Sequence, residues 1–226
     1  MIEFLSVYAE HWSAWWPQIL PAVGVTLGLT AGAYALSVLL GLGLAVGRLS
    51  RVRPVRWFAS AYVEVARSVP ALAILFLVYF GLVPLGLTLD AFTAGVVGLA
   101  LCHGAYMGEV FRGGLEALHK GQREAALAVG MTPRDAFRFI LLPQATRIVL
   151  PPALNMLIVL LRDTSLCYFI TTPELMLTAR DLTSTYFLPL HLYVLAGAIY
   201  FAIAFPLSLA TRRISRRMSR GLRQSV

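Results

Sequence analysis

Long apolar stretches alternate with short basic segments along the whole chain. A membrane-spanning helix needs about 20 consecutive, mostly apolar residues, and five stretches reach that length. They are predicted at about residues 20–47, 57–83, 91–111, 148–170 and 188–211. The pattern therefore predicts an all-α integral membrane protein with about five transmembrane helices, built as a single domain over residues 1–226.

The distribution of charge orients these helices. The net charge of +8 would indicate a nucleic-acid partner in a soluble protein, but 58% of the residues are hydrophobic and only 13% are charged. The basic residues are concentrated in the segments 48–56, 112–147 and 212–223, between or after predicted spans. The positive-inside rule assigns such segments to the cytoplasm. We therefore expect a periplasmic N-terminus, a cytoplasmic C-terminus, contacts with membrane lipids and no nucleic acid.

The cysteines do not predict a cofactor, and the first residues of the chain do not predict a cleaved signal. Cys102 and Cys167 lie in apolar stretches without the spacing of a metal site. Residues 1–17 carry two acids and lack a basic n-region, which indicates an interfacial amphipathic segment. An aromatic belt at the outer ends of the spans is expected to include Trp12, Trp15, Trp16, Tyr186 and Phe187.

Glycines recur at four-residue spacing in the first and third predicted spans. Small residues four apart lie on one helix face, where they allow another helix to approach closely. Helix packing is the simpler interpretation of this pattern, and a glycine-lined substrate path is the alternative. The residues concerned are Gly24, Gly28, Gly32, Gly43, Gly47, Gly104 and Gly108.

The loop at about residues 112–147 is the longest segment outside the predicted spans. A helix-forming run ends before Gly130, which suits a helix C-terminal turn. Thr132 can cap a second helix, Pro133 suits its first position, and Asp135 faces the positive end of its dipole. Two short helices joined by a glycine turn are therefore expected on the cytoplasmic side.

This loop resembles the cytoplasmic EAA loop of bacterial ABC importer permeases. The residues that match its pattern and spacing are Glu124, Ala125, Ala126, Gly130, Ile140, Leu142 and Pro143. The rest of the chain is similar to the histidine, glutamine, glutamate/aspartate and arginine permeases, in segments such as Arg67-Ser68-Val69-Pro70 and Asp163-Thr164-Ser165-Leu166. These two segments are most similar to the glutamate/aspartate permeases.

The resemblance implies a type I ABC importer permease in a bacterial inner membrane. It implies that the seven loop residues couple the permease to two copies of a separate ABC ATPase. It also implies a second permease subunit, identical or homologous, and a periplasmic or lipid-anchored binding protein that delivers a polar amino acid. The chain contains no phosphate-binding Gly-x-x-x-x-Gly-Lys-Ser/Thr loop, so we expect no ATP hydrolysis by the chain itself.

Ionisable residues within predicted spans usually mark pathways or internal pairs, because charge at membrane depth is costly. Glu64 and Arg67, three residues apart on one helix face, are predicted to form a structural ion pair. Pro70, which has no amide hydrogen, is predicted to kink the second span. Arg162, Asp163, Thr164 and Ser165 fall within about one helical turn.

We expect this second cluster to bind the substrate, because an amino acid carries both a carboxylate and an ammonium group. Mutual pairing of Arg162 with Asp163 is the alternative. His103, Tyr106 and Glu109 are predicted to line the same path, although His103 also suits a hydrogen bond inside the bundle. Two residues depart from the pattern of the branch, Arg162 where lysine is usual and His103 where a small polar residue is usual.

Two other classes of protein are compatible with an apolar chain of this length. A secondary carrier would explain five spans and intramembrane charges, but it leaves the EAA loop unexplained and has no inverted repeat here. A membrane enzyme would need a convergent set of catalytic side chains, which the sequence lacks. The importer permease accounts for all the observed features.

Overall fold

The computed structural model describes residues 2–118 and 120–219. The side chain of Glu3 and the end of the basic C-terminal segment, Arg220 and Arg223, lie outside the described part. Within it, the chain is almost entirely helical. The α-helices are α1 (Ile2–Arg48), α2 (Arg53–Ser68), α3 (Ala71–Tyr79), α4 (Ala91–Glu116), α5 (Lys120–Ala128), α6 (Pro133–Asp135), α7 (Leu142–Asp163), α8 (Leu175–Tyr186) and α9 (Pro189–Ser219).

Three short segments interrupt or extend these helices. A 3₁₀ turn covers Val83–Leu85, a π-helix covers Ala136–Leu141 between α6 and α7, and a 3₁₀ helix covers Thr164–Ile170 after α7. Asp90 caps α4 by accepting a hydrogen bond from the Thr93 amide at 3.0 Å. Hydrogen bonds from Thr93 lower the pKa of the exposed Asp90 carboxyl.

Helices α1 and α4 run in the same direction and form a glycine seam. Gly28 lies beside Phe92, Gly32 beside Val96, and Gly108 beside Leu44, so the contacts advance together along both helices. A Cβ added to Gly41 would lie 2.7 Å from the Met107 Cβ and 2.9 Å from the Gly108 amide nitrogen. The packing interpretation is therefore confirmed for this seam, whereas Gly24 and Gly43 face open space.

The second predicted span is broken rather than kinked. Helices α2 and α3 meet at an angle of 107° around Val69 and Pro70. Pro70 cannot donate a hydrogen bond to the preceding turn, and a residue before proline avoids the helical region. Val69 accordingly is extended, with φ −91° and ψ 135°. The continuous span predicted at 57–83 is thus corrected to two helices.

The broken pair nevertheless makes one full crossing. The chain leaves α1 at Arg48 and enters α4 at the level of Gly28, because Gly28 contacts Phe92. Twenty residues of α1 separate those levels, or about 30 Å at 1.5 Å per residue, which is about the thickness of the hydrocarbon core. Four further helical segments are long and apolar enough to span a membrane, which gives five spans in the described residues.

Helix α1 joins the N-terminal segment to the first predicted span. It is continuous over 47 residues, about 70 Å of helix, so residues 2–17 belong to the same helix as that span. Trp15 is fully buried and packs with Ile19, Leu182 and Leu192 between α1, α8 and α9. Trp12 and Trp16 remain exposed and stack on each other, with ring centroids 4.9 Å apart.

Helices α7 and α9 cross the bundle in opposite directions. Helix α7 and its 3₁₀ extension run antiparallel to α4, since Gly114 packs against Val149 and Gly95 against Cys167. Helix α9 runs parallel to α1, because the Tyr8 hydroxyl donates to the His191 carbonyl near its start. Both cysteines are buried, as predicted.

The parallel directions of α1, α4 and α9 bring their C-terminal ends to the same side of the bundle. The basic residues at these ends include Arg48, Arg112 and Arg212. Arg48 forms an ion pair with Glu109, which also binds the Arg112 Nη2 at 2.7 Å. Arg112 in turn pairs with Glu116. The three basic segments thus begin on one side, together with the loop between α4 and α7.

The candidate coupling elbow and substrate cavity

We call residues 120–144 the elbow. It begins with α5, which ends in a Schellman motif: the Met131 amide donates to the Ala126 carbonyl at 3.1 Å, and the Gly130 amide donates to the Leu127 carbonyl at 3.0 Å. Gly130 takes φ +84°, a left-handed conformation that glycine adopts without the steric penalty of a Cβ. The turn after α5 is therefore determined by this glycine.

The second half of the elbow begins with the helix cap that the sequence predicts, and it continues as a π-helix, which the sequence does not predict. The Thr132 hydroxyl accepts a hydrogen bond from the Asp135 amide at 3.2 Å and so caps α6. The chain then widens into a π-helix, in which the Leu142 amide donates to the Phe137 carbonyl. Pro143 follows and has no amide hydrogen to continue the ordinary α-helical pattern, which is consistent with a π-helix at this position.

Contacts between its halves fix the angle of the elbow. Ala126 and Ala136, one from each half, are both buried. The Gln144 Nε2 donates to the Gln122 Oε1 at 3.4 Å and to the Ile140 carbonyl at 3.0 Å. Ala126 of the predicted coupling set is therefore an internal packing residue.

The outer surface of the elbow carries both polar and apolar side chains. Glu124 and Ala125 are exposed, and so are Leu142 and Pro143, while Ile140 is half-buried. Large apolar side chains also face outward, notably Val129 at 78% and Phe139 at 60% exposure. Exposed apolar groups of this size on a rigid turn are typical of a surface that contacts another protein.

A cavity of about 490 Å³ opens where α2 and α3 break apart. Its walls come from the break, from α4 and from the end of α7. The lining residues are Arg67, Ser68, Val69, Pro70, Ala71, Cys102, His103, Tyr106, Met156, Val159 and Asp163. We call it the break cavity. It unites segments far apart in the sequence, including three of the predicted path residues.

Side chains of opposite charge line the break cavity. Asp163, with a side chain 36% exposed, lies 3.0 Å from the Nε2 of His103, which is 4% exposed. The contact has the distance of an ion pair, although its angles do not meet those of a hydrogen bond. The Arg67 guanidinium lies 5.6 Å from the centre of the Tyr106 ring, a cation–π contact. The cavity therefore offers a cation and an anion.

The predicted ion pair of Glu64 with Arg67 is absent from the described ion pairs. Both residues lie on the exposed polar face of α2, but Arg67 turns toward Tyr106, and the Glu64 carbonyl accepts a hydrogen bond from the Ser68 hydroxyl at 2.7 Å. The break at Pro70 ends α2 one turn after Glu64 and gives Arg67 a cavity to face.

The predicted cluster at residues 162–165 is not assembled into one site. Asp163 faces the break cavity, whereas Arg162 and Ser165 line a different cavity on another side of α7. The buried Thr164 hydroxyl donates to the Leu161 carbonyl at 2.7 Å, inside its own helix. Glu109 lies in the ion network with Arg48 and Arg112, outside the residues that line the break cavity. Adjacent helical residues point about 100° apart, which separates Arg162 from Asp163.

Sequence reasoning missed the role of Glu174. This side chain is fully buried, yet it caps α8 by accepting hydrogen bonds from the Met176 and Leu177 amides, each at 2.8 Å. The Tyr200 hydroxyl donates to it at 2.9 Å. Next to it, the Leu175 amide donates to the Thr26 hydroxyl at 3.2 Å. A glutamate directly before the apolar residues Leu175–Leu177 was the available signal. Together with the Leu175–Thr26 bond, its contacts connect α1, α8 and α9.

Five apolar crossings, a charged cavity at a broken helix and a projecting elbow define the permease subunit of a membrane transporter. The chain belongs to the family of binding-protein-dependent transport system inner membrane components, whose profile matches residues 37–220. Family membership implies partnership with an ATPase and a binding protein, and it overturns the alternative of a secondary carrier.

Individual relatives match most of the chain. It is 35% identical over 195 residues to the probable glutamine ABC transporter permease GlnM of Bacillus subtilis, which covers 86% of this chain and 90% of that one. It is 36% identical over 210 residues to the glutamate/aspartate import permease GltK of Escherichia coli, with coverage of 89% and 93%.

Solved structures agree with this assignment. A crystal structure of an amino acid ABC transporter with histidines matches with a TM-score of 0.86 and 35% identity, over 95% of this chain and 98% of that one. The methionine transporter MetNI in an inward-facing form matches with a TM-score of 0.74 at 21% identity, a likeness of fold alone. The type I importer permease fold is therefore confirmed.

Proposed function

We propose that this chain carries polar amino acids into the cytoplasm across a bacterial inner membrane. It acts as one transmembrane domain in a complex of two permease subunits, two ATPase subunits and a binding protein. The side of the bundle with the three basic segments faces the cytoplasm, in accord with the positive-inside rule. Relatives named for glutamine and for glutamate/aspartate support a substrate of this class.

The charges of the break cavity carry the proposal for the substrate. An amino acid presents a carboxylate and an ammonium group, and the cavity provides Arg67 for the first and Asp163 for the second. Ala71, the first residue of α3, also lines the cavity. A helix N-terminus carries a partial positive charge that favours a carboxylate, and transporters use broken helices in this way.

His103 and Tyr106 complete this side of the path in distinct ways. His103 contacts Asp163 and so limits the directions in which that carboxylate can turn. The Tyr106 ring makes the cation–π contact with the Arg67 guanidinium, and the Tyr106 hydroxyl donates to the Arg67 carbonyl at 3.4 Å. Arg162, Ser165, Thr164 and Glu109 have no contact with this cavity, so we now assign substrate binding to Arg67 and Asp163.

The elbow docks on the ATPase. Glu124, Ala125, Gly130, Ile140, Leu142 and Pro143 form its docking turn, and Ala126 packs inside it. After the turn fixed by the Gly130 motif, α6, the π-helix and α7 follow one another without a break. This continuous helical segment transmits a displacement of the turn to α7. Movement of the ATPase then reaches Asp163 along one continuous helical segment.

Copurification followed by transport tests the proposal. The tagged permease is gently solubilised from its native membrane, and native mass spectrometry counts the chains that accompany it. We expect two permeases and two ATPase chains, and ATP-dependent uptake of a labelled polar amino acid after reconstitution with the binding protein. Recovery of the permease alone, or uptake that needs no ATP, would contradict the proposal.

A further inference from the structure

A second cavity lies beside α7, apart from the break cavity. It measures about 320 Å³ and opens between α7, α8 and α9. Arg162, Ser165, Met176, Tyr193 and Tyr200 line it, and none of them lines the break cavity. We call it the Arg162 cavity. Arg162 is exposed within it and is its sole charged lining residue.

Arg162 has no acidic partner among the described residues. None of the ion pairs in that part of the chain includes it, and its neighbour Asp163 faces His103 instead. Guanidinium groups stay protonated in proteins, and a charge at membrane depth normally faces a partner or a water-filled cavity. The charge of Arg162 is therefore available to a group from outside the chain.

The acid behind the cavity cannot supply this partner. Glu174 is fully buried and already accepts hydrogen bonds from two backbone amides and from the Tyr200 hydroxyl. These three bonds hold the carboxylate against the start of α8. Turning it toward Arg162 would break the cap and leave buried amides unpaired, at a cost of about 1–3 kcal/mol for each group.

The hydroxyl groups of the cavity indicate what it can bind. The Tyr200 hydroxyl donates to Glu174, and the Ser165 hydroxyl donates to the Arg162 carbonyl at 2.8 Å, so their hydrogens are in use. Tyr193 is 39% exposed, and its hydroxyl has no hydrogen bond among those described. A guanidinium with one phenolic hydroxyl donor is suited to an oxyanion.

We propose that the Arg162 cavity binds one oxyanion, either the phosphate of an anionic lipid or the carboxylate of a small acid. It lacks an acid that would hold an ammonium group, in contrast to the break cavity. Tyr193 and Tyr200 lie about 6 to 17 Å from the start of α9, so the cavity is near one end of the span. This site goes beyond the proposed transport function and does not depend on it.

The first experiment measures lipid binding. The permease is purified in detergent with its accompanying chains and titrated with phosphatidylglycerol, and native mass spectrometry counts bound lipids. If the oxyanion is a lipid phosphate, the wild type retains one phosphatidylglycerol per permease, and Arg162→Gln needs at least tenfold more lipid. Arg180→Gln is the control, since Arg180 is an exposed arginine that pairs with Asp181 on α8.

A second titration with the lipid absent identifies a carboxylate. L-Glutamate is added to wild type and Arg162→Gln, and binding is measured by calorimetry. Saturable binding that Arg162→Gln abolishes and Arg180→Gln retains assigns a carboxylate to this cavity. Tyr193→Phe removes the free hydroxyl and is expected to lower the affinity for whichever oxyanion binds several-fold. This variant tests the site even if Arg162→Gln does not fold. Equal binding of both probes by wild type and the variants, or no binding of either probe by the wild type, overturns the proposal.

Discussion

The elbow and the break cavity are built in opposite ways. Every residue of the elbow comes from one segment of 25 residues, and its turn is held by hydrogen bonds between near neighbours such as Ala126 and Met131. The break cavity takes Arg67 from α2, His103 from α4 and Asp163 from α7. The elbow's shape is therefore a local property of the sequence, whereas the cavity exists only when the whole bundle has packed.

The largest effect is expected at Gly130. Gly130→Val places a β-branched residue at φ +84°, a conformation that such residues almost never adopt. The Schellman turn should open, with loss of ATPase copurification and at least a tenfold fall in ATP-dependent uptake. Both are measured on the reconstituted transporter.

Gly121→Val is the matched control. Gly121 also has open space where a Cβ would lie, but its φ is not positive. We expect this variant to keep its ATPase and its uptake. If Gly130→Val behaved in the same way, the elbow's shape would not depend on its glycine, and the contrast with the cavity would disappear.

An intermediate effect is expected in the break cavity. Asp163→Asn removes the anion proposed for the substrate's ammonium group, and loss of one partner of a charge pair costs about 2–5 kcal/mol. We expect KM for uptake to rise tenfold or more while ATPase copurification stays at the wild-type level. Asp181→Asn, on the exposed face of α8, should leave both unchanged. Loss of the ATPase from Asp163→Asn would show that cavity and elbow are not separable.

The smallest effect is expected at Thr132. Thr132→Ala removes the cap of α6, and such caps contribute about 1 kcal/mol. A small decrease in thermal stability with ATPase copurification preserved is the expected result, read by a thermal unfolding assay in detergent. Thr185→Ala, which loses only a hydroxyl bonded to its own helix at Asp181, should change less. Equal effects would mean that the cap contributes nothing to the elbow.

The same contrast explains what the sequence could predict. Five spans, the Gly130 turn and the Thr132 cap depend on apolar length and on short-range backbone rules, and all of them are present. Pro70 predicted a disruption of the second span for the right reason. The size of that disruption, 107°, depends on packing of α3 against α4, which no local rule contains.

The differences between the predicted and the observed arrangement concern side-chain direction. Arg162 and Asp163 are adjacent in the sequence, so composition alone suggested one zwitterion site, but the helix turns them to different cavities. Glu109 was predicted in the path because an ionisable residue within a span usually marks a pathway or an internal pair. The Glu109 side chain instead pairs with Arg48 of α1, a residue 61 positions away in the sequence.

The backbone hydrogen bonds of the Gly130 turn have a consequence for how such permeases diverge. Since main-chain atoms hold the turn, the exposed side chains around it, among them Val129 and Phe139, can change without altering its shape. In the docking proposed above, mutation of these side chains can therefore adjust the match to a particular ATPase while the shape of the turn is kept. Under that proposal, a change of ATPase partner requires changes in only a few surface side chains.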